Sequence, residues 1–238
     1  MRERQFTVIV TNFAIILVLS LLLVSTLYTN ANATFRETDN AIYTGNKESN
    51  KVTLMINVYW GTEYIEPMME LIKENGFTTT FFIGGKWAES NATLLKKMAE
   101  EGFEIANHGY LHRDHSKLNY SANREEILIT ERLIKASTGV DPAKLFAPPS
   151  GARGKTMFEV CDELGYKVIM WTRDTIDWRD HDAGIIYDRA VKNMAGGDLI
   201  LMHPTKETLE ALPNILKYIK DNGFVLTTVS DTISQNSQ

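Results

Sequence analysis

Four times in this chain a helical pattern closes on a glycine and a strand pattern begins at once, at Gly76, Gly102, Gly165 and Gly223. Glycine takes the left-handed conformation that ends a helix without a steric penalty. Period and composition place strands at residues 52–58, 78–83, 103–107, 145–147, 166–172, 198–203 and 224–229. Between them lie helical patterns at 64–75, 86–101, 121–137, 156–164 and 183–194, and a stripe of Leu209, Leu212, Leu216 and Ile219. Strict alternation of strand and helix implies parallel strands joined by right-handed crossovers. A near-continuous apolar run such as Leu199–Met202 suits a sheet buried on both faces. About seven such units fit an α/β barrel, complete or incomplete, and an open doubly wound sheet shares the same alternation. No glycine-rich phosphate loop follows the first strand, so nothing here calls for a nucleotide.

The first residues stand apart. Arg2 and Arg4 precede a stretch without charge until Arg36, densest in apolar residues from 13 to 27, and Ala31-Asn32-Ala33 has the small-x-small form of a cleavage site. That order describes a secretory signal peptide. Residues 6–28 also have about the length of a membrane anchor. Both readings place the remainder outside the cytoplasm, as an extracellular or membrane-anchored domain. The expected organisation is therefore a leader or membrane anchor at 1–33, a linker at 34–50 and one domain at 51–231. A net charge of −5 argues against a nucleic-acid surface. A single cysteine, Cys161, excludes an internal disulfide framework. Its apolar helical setting reads as a small buried side chain.

Five histidines are few enough for position to matter. His108 and His112 follow a strand directly, spaced H-x3-H in Asn107-His108-Gly109-Tyr110-Leu111-His112. On a helical turn that spacing puts both imidazoles on one side, where they can grip a divalent metal. His115 and Asp114 extend the cluster. His203 ends another strand, in Leu201-Met202-His203, and barrel sites gather at that rim. Asp174 and Asp177 lie just past a strand in Asp174-Thr175-Ile176-Asp177-Trp178, where capping or a solvated turn is the plainer use.

Taken in order, these segments resemble the polysaccharide deacetylase domain (NodB homology, carbohydrate esterase family 4) over residues 51–229. His108-x3-His112 resembles its metal motif and Ala147-Pro148-Pro149-Ser150-Gly151 its Arg-Pro-Pro-Tyr-Gly loop. Asp174-x2-Asp177-Trp178 is similar to its Asp-x-x-Asp-Trp segment, and Leu201-Met202-His203 to its final Leu-x-His. Thr80-Phe81-Phe82-Ile83-Gly84 resembles the strand between the first two motifs. The resemblance implies a distorted (β/α)7 barrel and hydrolysis of the amide carbon–nitrogen bond of N-acetylated glycans such as peptidoglycan. It implies zinc or another divalent metal on His108, His112 and a carboxylate, with catalytic roles for His203, Asp177 and Asp174. Trp178, Tyr59, Trp60, Pro149 and Leu201 are the expected substrate-binding residues.

The first motif departs from that pattern. Where the family carries Thr-Phe-Asp-Asp-Gly, this chain reads Asn57-Val58-Tyr59-Trp60-Gly61. Tyr59 stands for the presumed base and Trp60 for the metal carboxylate. Ala147 stands for an arginine that pairs with the base. A buried arginine without its carboxylate would be an uncompensated charge costing several kcal/mol, so the three changes read as one rewiring. Similar departures mark a sporulation-associated branch of the family. Three outcomes follow: a silent domain that binds glycan through Trp60, Tyr59, Tyr110 and Trp178, a hydrolase with a relocated ligand from Glu63, Asp114 or His115, or an alignment shifted by two that sets Asn57 near the metal.

Overall fold

The computed structural model describes residues 16–20 and 40–234, so the expected leader lies almost wholly outside the described residues. Among the described residues no helix is long and apolar enough to cross a membrane. From Ala41 onward the chain forms one compact unit.

That unit alternates as the glycines imply. Its strands are β1 (Lys51–Val58), β2 (Thr80–Ile83), β3 (Glu104–Asn107), β4 (Leu145–Phe146), β5 (Lys167–Val168), β6 (Arg173–Asp174), β7 (Leu199–Met202) and β8 (Val225–Leu226). Its helices are α1 (Thr62–Glu74), α2 (Gly85–Ser90), α3 (Ala92–Glu100), α4 (Tyr120–Thr138), α5 (Lys155–Glu163), α6 (Ala183–Val191), α7 (Lys206–Asp221) and α8 (Val229–Ile233). The strands pair in the order β5-β4-β3-β2-β1-β7-β6, all parallel, and β8 adds to the start of β1. This is a distorted (β/α)7 barrel. The ladder runs from β5 to β6, and the segment at Ile42 bridges Ile169 beside β5.

Period two along each strand separates two apolar layers. Leu54, Ile56, Phe81, Ile83, Ile200 and Met202 face outward and pack under the helices. Met55, Phe82, Ala106, Ala147 and Leu199 form the barrel interior. Asn57 follows Met55 by two residues and so faces the same interior, at the C-terminal end of β1. The strand ends that carry the motifs are thereby gathered at one rim.

Three boundaries differ from the sequence expectation. The single helix at 86–101 is broken at Asn91, whose backbone φ is −131°. The Asn91 side chain donates to the Trp87 carbonyl at 2.8 Å, an alternative to continuing the helix. The strand at 166–172 is short, and Arg173–Asp174 forms a separate strand on β7. The strand at 224–229 stops at Leu226, because the Thr228 hydroxyl accepts from the Asp231 N–H at 3.1 Å and caps α8.

Candidate active site

His108 and His112 sit on a loop rather than on a helical turn. His112 (φ 54°) and Gly109 (φ 75°) both take left-handed backbone, which folds the loop back on itself. The loop is held from below by α4. The Glu126 carboxylate, buried, accepts the Tyr110 N–H at 2.9 Å and the Leu111 N–H at 2.8 Å. From the α2 side, the N–H groups of Gly85 and Lys86 donate to the carbonyls of Gly109 and Tyr110.

The two rings lie 5.2 Å apart, centroid to centroid. His108 Nδ1 is 2.7 Å from the Ala147 carbonyl. A carbonyl only accepts, so Nδ1 carries the proton and Nε2 keeps its lone pair. Burial, reinforced by neighbouring His112, pushes the His108 imidazole down to about 3. Burial also lowers His112.

His115 belongs to a different layer. Its Nδ1 lies 2.7 Å from Asn123 Oδ1, while the Asn123 amide donates to the Leu118 carbonyl at 2.9 Å. That fixes the proton on Nδ1 and leaves Nε2, fully buried, without a partner. The ring packs edge-on against Phe146 at 5.0 Å. Burial pushes it down to about 4, aided by Arg113. A side chain at Gly109 would place its Cβ 2.9 Å from that Nε2, so glycine lets the loop close over the ring.

On the opposite side of the rim, Asp177 is fully buried and accepts three hydrogen bonds. They come from the His203 backbone N–H at 2.6 Å, His203 Nδ1 at 2.8 Å and the Thr208 hydroxyl at 2.7 Å. His203 is therefore held by both backbone and ring, with Nε2 left for the rim. Asp174 Oδ1 accepts the Ile176 N–H at 2.8 Å, which forms the turn between the two aspartates.

The two departures from the first motif pack directly on these histidines. The Trp60 indole stacks on His203, with centroids 5.5 Å apart and planes 19° apart. The Tyr59 ring lies 4.9 Å from His112. Gly61 (φ 75°) seats Trp60, since a Cβ there would fall 1.9 Å from the Pro204 carbonyl. Aromatic faces thus cover the imidazoles where carboxylates were expected.

Together these groups line a cavity of about 530 Å³ at the strand ends. His108, His112, His203 and Asp174 meet there with Tyr59, Trp60, Trp178 and Leu201. Asp177 stands behind His203. Pro149 is buried beneath the Gly109 turn and is not among the lining residues. The Tyr110 hydroxyl is turned away to Glu89 at 2.7 Å. Ser150, with left-handed backbone (φ 53°), and Gly151 bring the Pro-Pro loop to the wall. Trp171 completes the lining; its place just past a strand end was the signal that would have singled it out.

A zinc ion at such a site needs about three protein ligands and an open position. Among the described residues no three His, Cys, Asp or Glu side chains stand close enough to hold one. Glu63 is exposed on α1, Asp114 pairs with Lys117 at 2.8 Å, and His115 is packed in the core. Ala147 is fully buried in the apolar cluster that holds Met55 and Phe82. The residues present do not complete a zinc site.

Comparison with known proteins places these observations. A family model for polysaccharide deacetylase matches residues 44–169. The uncharacterized protein YlxY of Bacillus subtilis is 39% identical over 194 residues, covering 82% of this chain and 60% of that protein. A peptidoglycan-N-acetylglucosamine deacetylase of Bacillus cereus is 28% identical over 172 residues, covering 70% of this chain and 62% of that protein. The chain thus spans about three fifths of the length of these two curated relatives. A crystal structure of a carbohydrate esterase family 4 pseudoenzyme from Bacillus anthracis superposes with a TM-score of 0.78 at 32% identity, covering 82% of this chain and 69% of that one. A mutant of that pseudoenzyme, described as having restored enzymatic activity, superposes with a TM-score of 0.78 at 30% identity, covering 82% of this chain and 71% of that one. The barrel, the ordered motifs at its rim and these matches agree: this chain belongs to the polysaccharide deacetylase family.

Proposed function

We propose that this domain is a non-hydrolytic, glycan-binding member of the family, acting on the cell-wall side of the membrane. The observation that carries the reading is the packing of Tyr59 against His112, with the rings tilted by 39°, and the stacking of Trp60 on His203. Those rings stand where the base and the metal carboxylate would be, and they supply flat apolar faces of the kind that stack on sugar rings. The similarity to a family pseudoenzyme supports the loss of turnover. The similarity to peptidoglycan deacetylases supports a cell-wall hexosamine polymer as the ligand. An exported position, with residues 1–33 as signal or anchor, fits that ligand.

The chain's own residues perform a binding role. Asp177 fixes the orientation of His203, Glu126 fixes the histidine loop, and the aromatic faces provide the walls. The His203–Asp177 pair also favours a second reading, a weak hydrolase with His203 as the proton donor. The test is to incubate the chain with peptidoglycan fragments and measure retention and released acetate together. Retention without acetate supports the binding domain. Acetate release that disappears in His203→Ala would establish the hydrolase instead.

A further inference from the structure

We propose that the cavity selects glycans bearing a free amine, the deacetylated and positively charged form of a hexosamine, over their N-acetylated counterparts. This rests on the glycan-binding reading and specifies its ligand.

Four aromatic side chains, Tyr59, Trp60, Trp171 and Trp178, line a single cavity with one carboxylate, Asp174, and no lysine or arginine. An ammonium over the face of tryptophan or tyrosine is attracted by the ring quadrupole, and a cage of such faces is a general device for holding cations. A primary ammonium also brings three N–H donors and needs acceptors for them. Asp174 keeps one carboxylate oxygen beyond the one bound by Ile176. Asn57, on the cavity wall and 4% exposed, has a carboxamide oxygen with no hydrogen-bond partner. A buried unpaired acceptor costs about 1–3 kcal/mol, which a ligand donor would recover. Arg179 lies over Trp178 at 6.0 Å and is held there by Asp180 in a two-pronged pair at 2.7 and 2.9 Å, while Asp180 also pairs with Arg189 at 2.6 Å; neither arginine lines the cavity. A bound N-acetyl group would bring a single N–H donor where the ammonium brings three, and no cation for the aromatic faces or Asp174.

The test is calorimetric titration of the full-length chain, in EDTA, with tetraglucosamine and with tetra-N-acetylglucosamine, at a pH where the amine is protonated. Tetralysine serves as a polycation control. The expected result is at least about tenfold tighter binding of the amine form, equivalent to ~1.4 kcal/mol. That preference should shrink in Asp174→Asn and in Trp60→Ala. Equal or tighter binding of the acetylated form overturns the inference and leaves the glycan-binding reading standing. Tetralysine binding as well as tetraglucosamine overturns it in favour of bulk charge attraction. Binding of neither sugar overturns both.

Discussion

Acidification should cost this domain a definable amount of stability through His115. Unfolded, its imidazole titrates near 6.5; folded, burial pushes it down to about 4. The folded state therefore requires the neutral ring, and its contribution is fully present above 6.5. As pH falls from 6.5 towards 4 the unfolded chain binds a proton that the folded chain does not, and stability is lost. At 1.36 kcal/mol per unit the full difference is about 3.4 kcal/mol, of which about 2.5 kcal/mol is lost by pH 4.5. His115→Gln removes that proton. It also sacrifices the bond to Asn123 and the contact with Phe146, so the variant should be less stable at pH 7 by about 1–3 kcal/mol. Urea unfolding of both proteins from pH 7.5 to 4.5 isolates the effect, since His108 and His112 contribute to both. The two stability curves should converge on acidification by about 2.5 kcal/mol. Parallel curves would refute the claim that His115 is held neutral beneath the loop.

Other perturbations separate the parts of the rim. Gly61→Ala puts a Cβ against the Pro204 carbonyl at a left-handed position, and should lower stability by at least ~2 kcal/mol in thermal unfolding. Glu126→Ala removes the buried carboxylate that accepts two partly buried backbone N–H groups of the histidine loop, and should cost about 3 kcal/mol in urea unfolding. Ala147→Arg alone should destabilise the domain by several kcal/mol, because it drives a guanidinium into the apolar cluster of Met55 and Phe82. Combined with Tyr59→Asp and Trp60→Asp it should recover stability, and zinc affinity should rise more than about 100-fold by calorimetry.

The fold was legible because its signals are local and repeated. A glycine that closes a helix and an apolar run that follows need no tertiary information, and they place every strand from β1 to β3 within a few residues. The failures arise where one side chain overrides a period. Asn91 takes a backbone carbonyl away from a helix whose apolar stripe continues past it, and Thr228 turns the end of an apolar run into a helix start. The residues of the rim were legible as ordered motifs, including the absence of both aspartates. Their contacts were not. That Trp60 lies flat on His203 depends on how Gly61 seats against Pro204, residues 143 positions apart. The H-x3-H spacing suggested a helical turn, whereas two left-handed residues and a buried glutamate from α4 shape the loop. His115 looked like a neighbour of the pair in sequence, yet its hydrogen bond to Asn123 turns it into the core.

At the rim of this family member, aromatic side chains stand where a metal site would be completed. Metal content per chain is the measurement that decides whether the remaining histidines still hold an ion. The full-length chain, loaded with excess zinc and then dialysed, should retain well under one zinc per chain by elemental analysis and release no acetate from N-acetylated oligosaccharides. One tightly held zinc per chain, lost in His108→Ala and accompanied by acetate release, would contradict it.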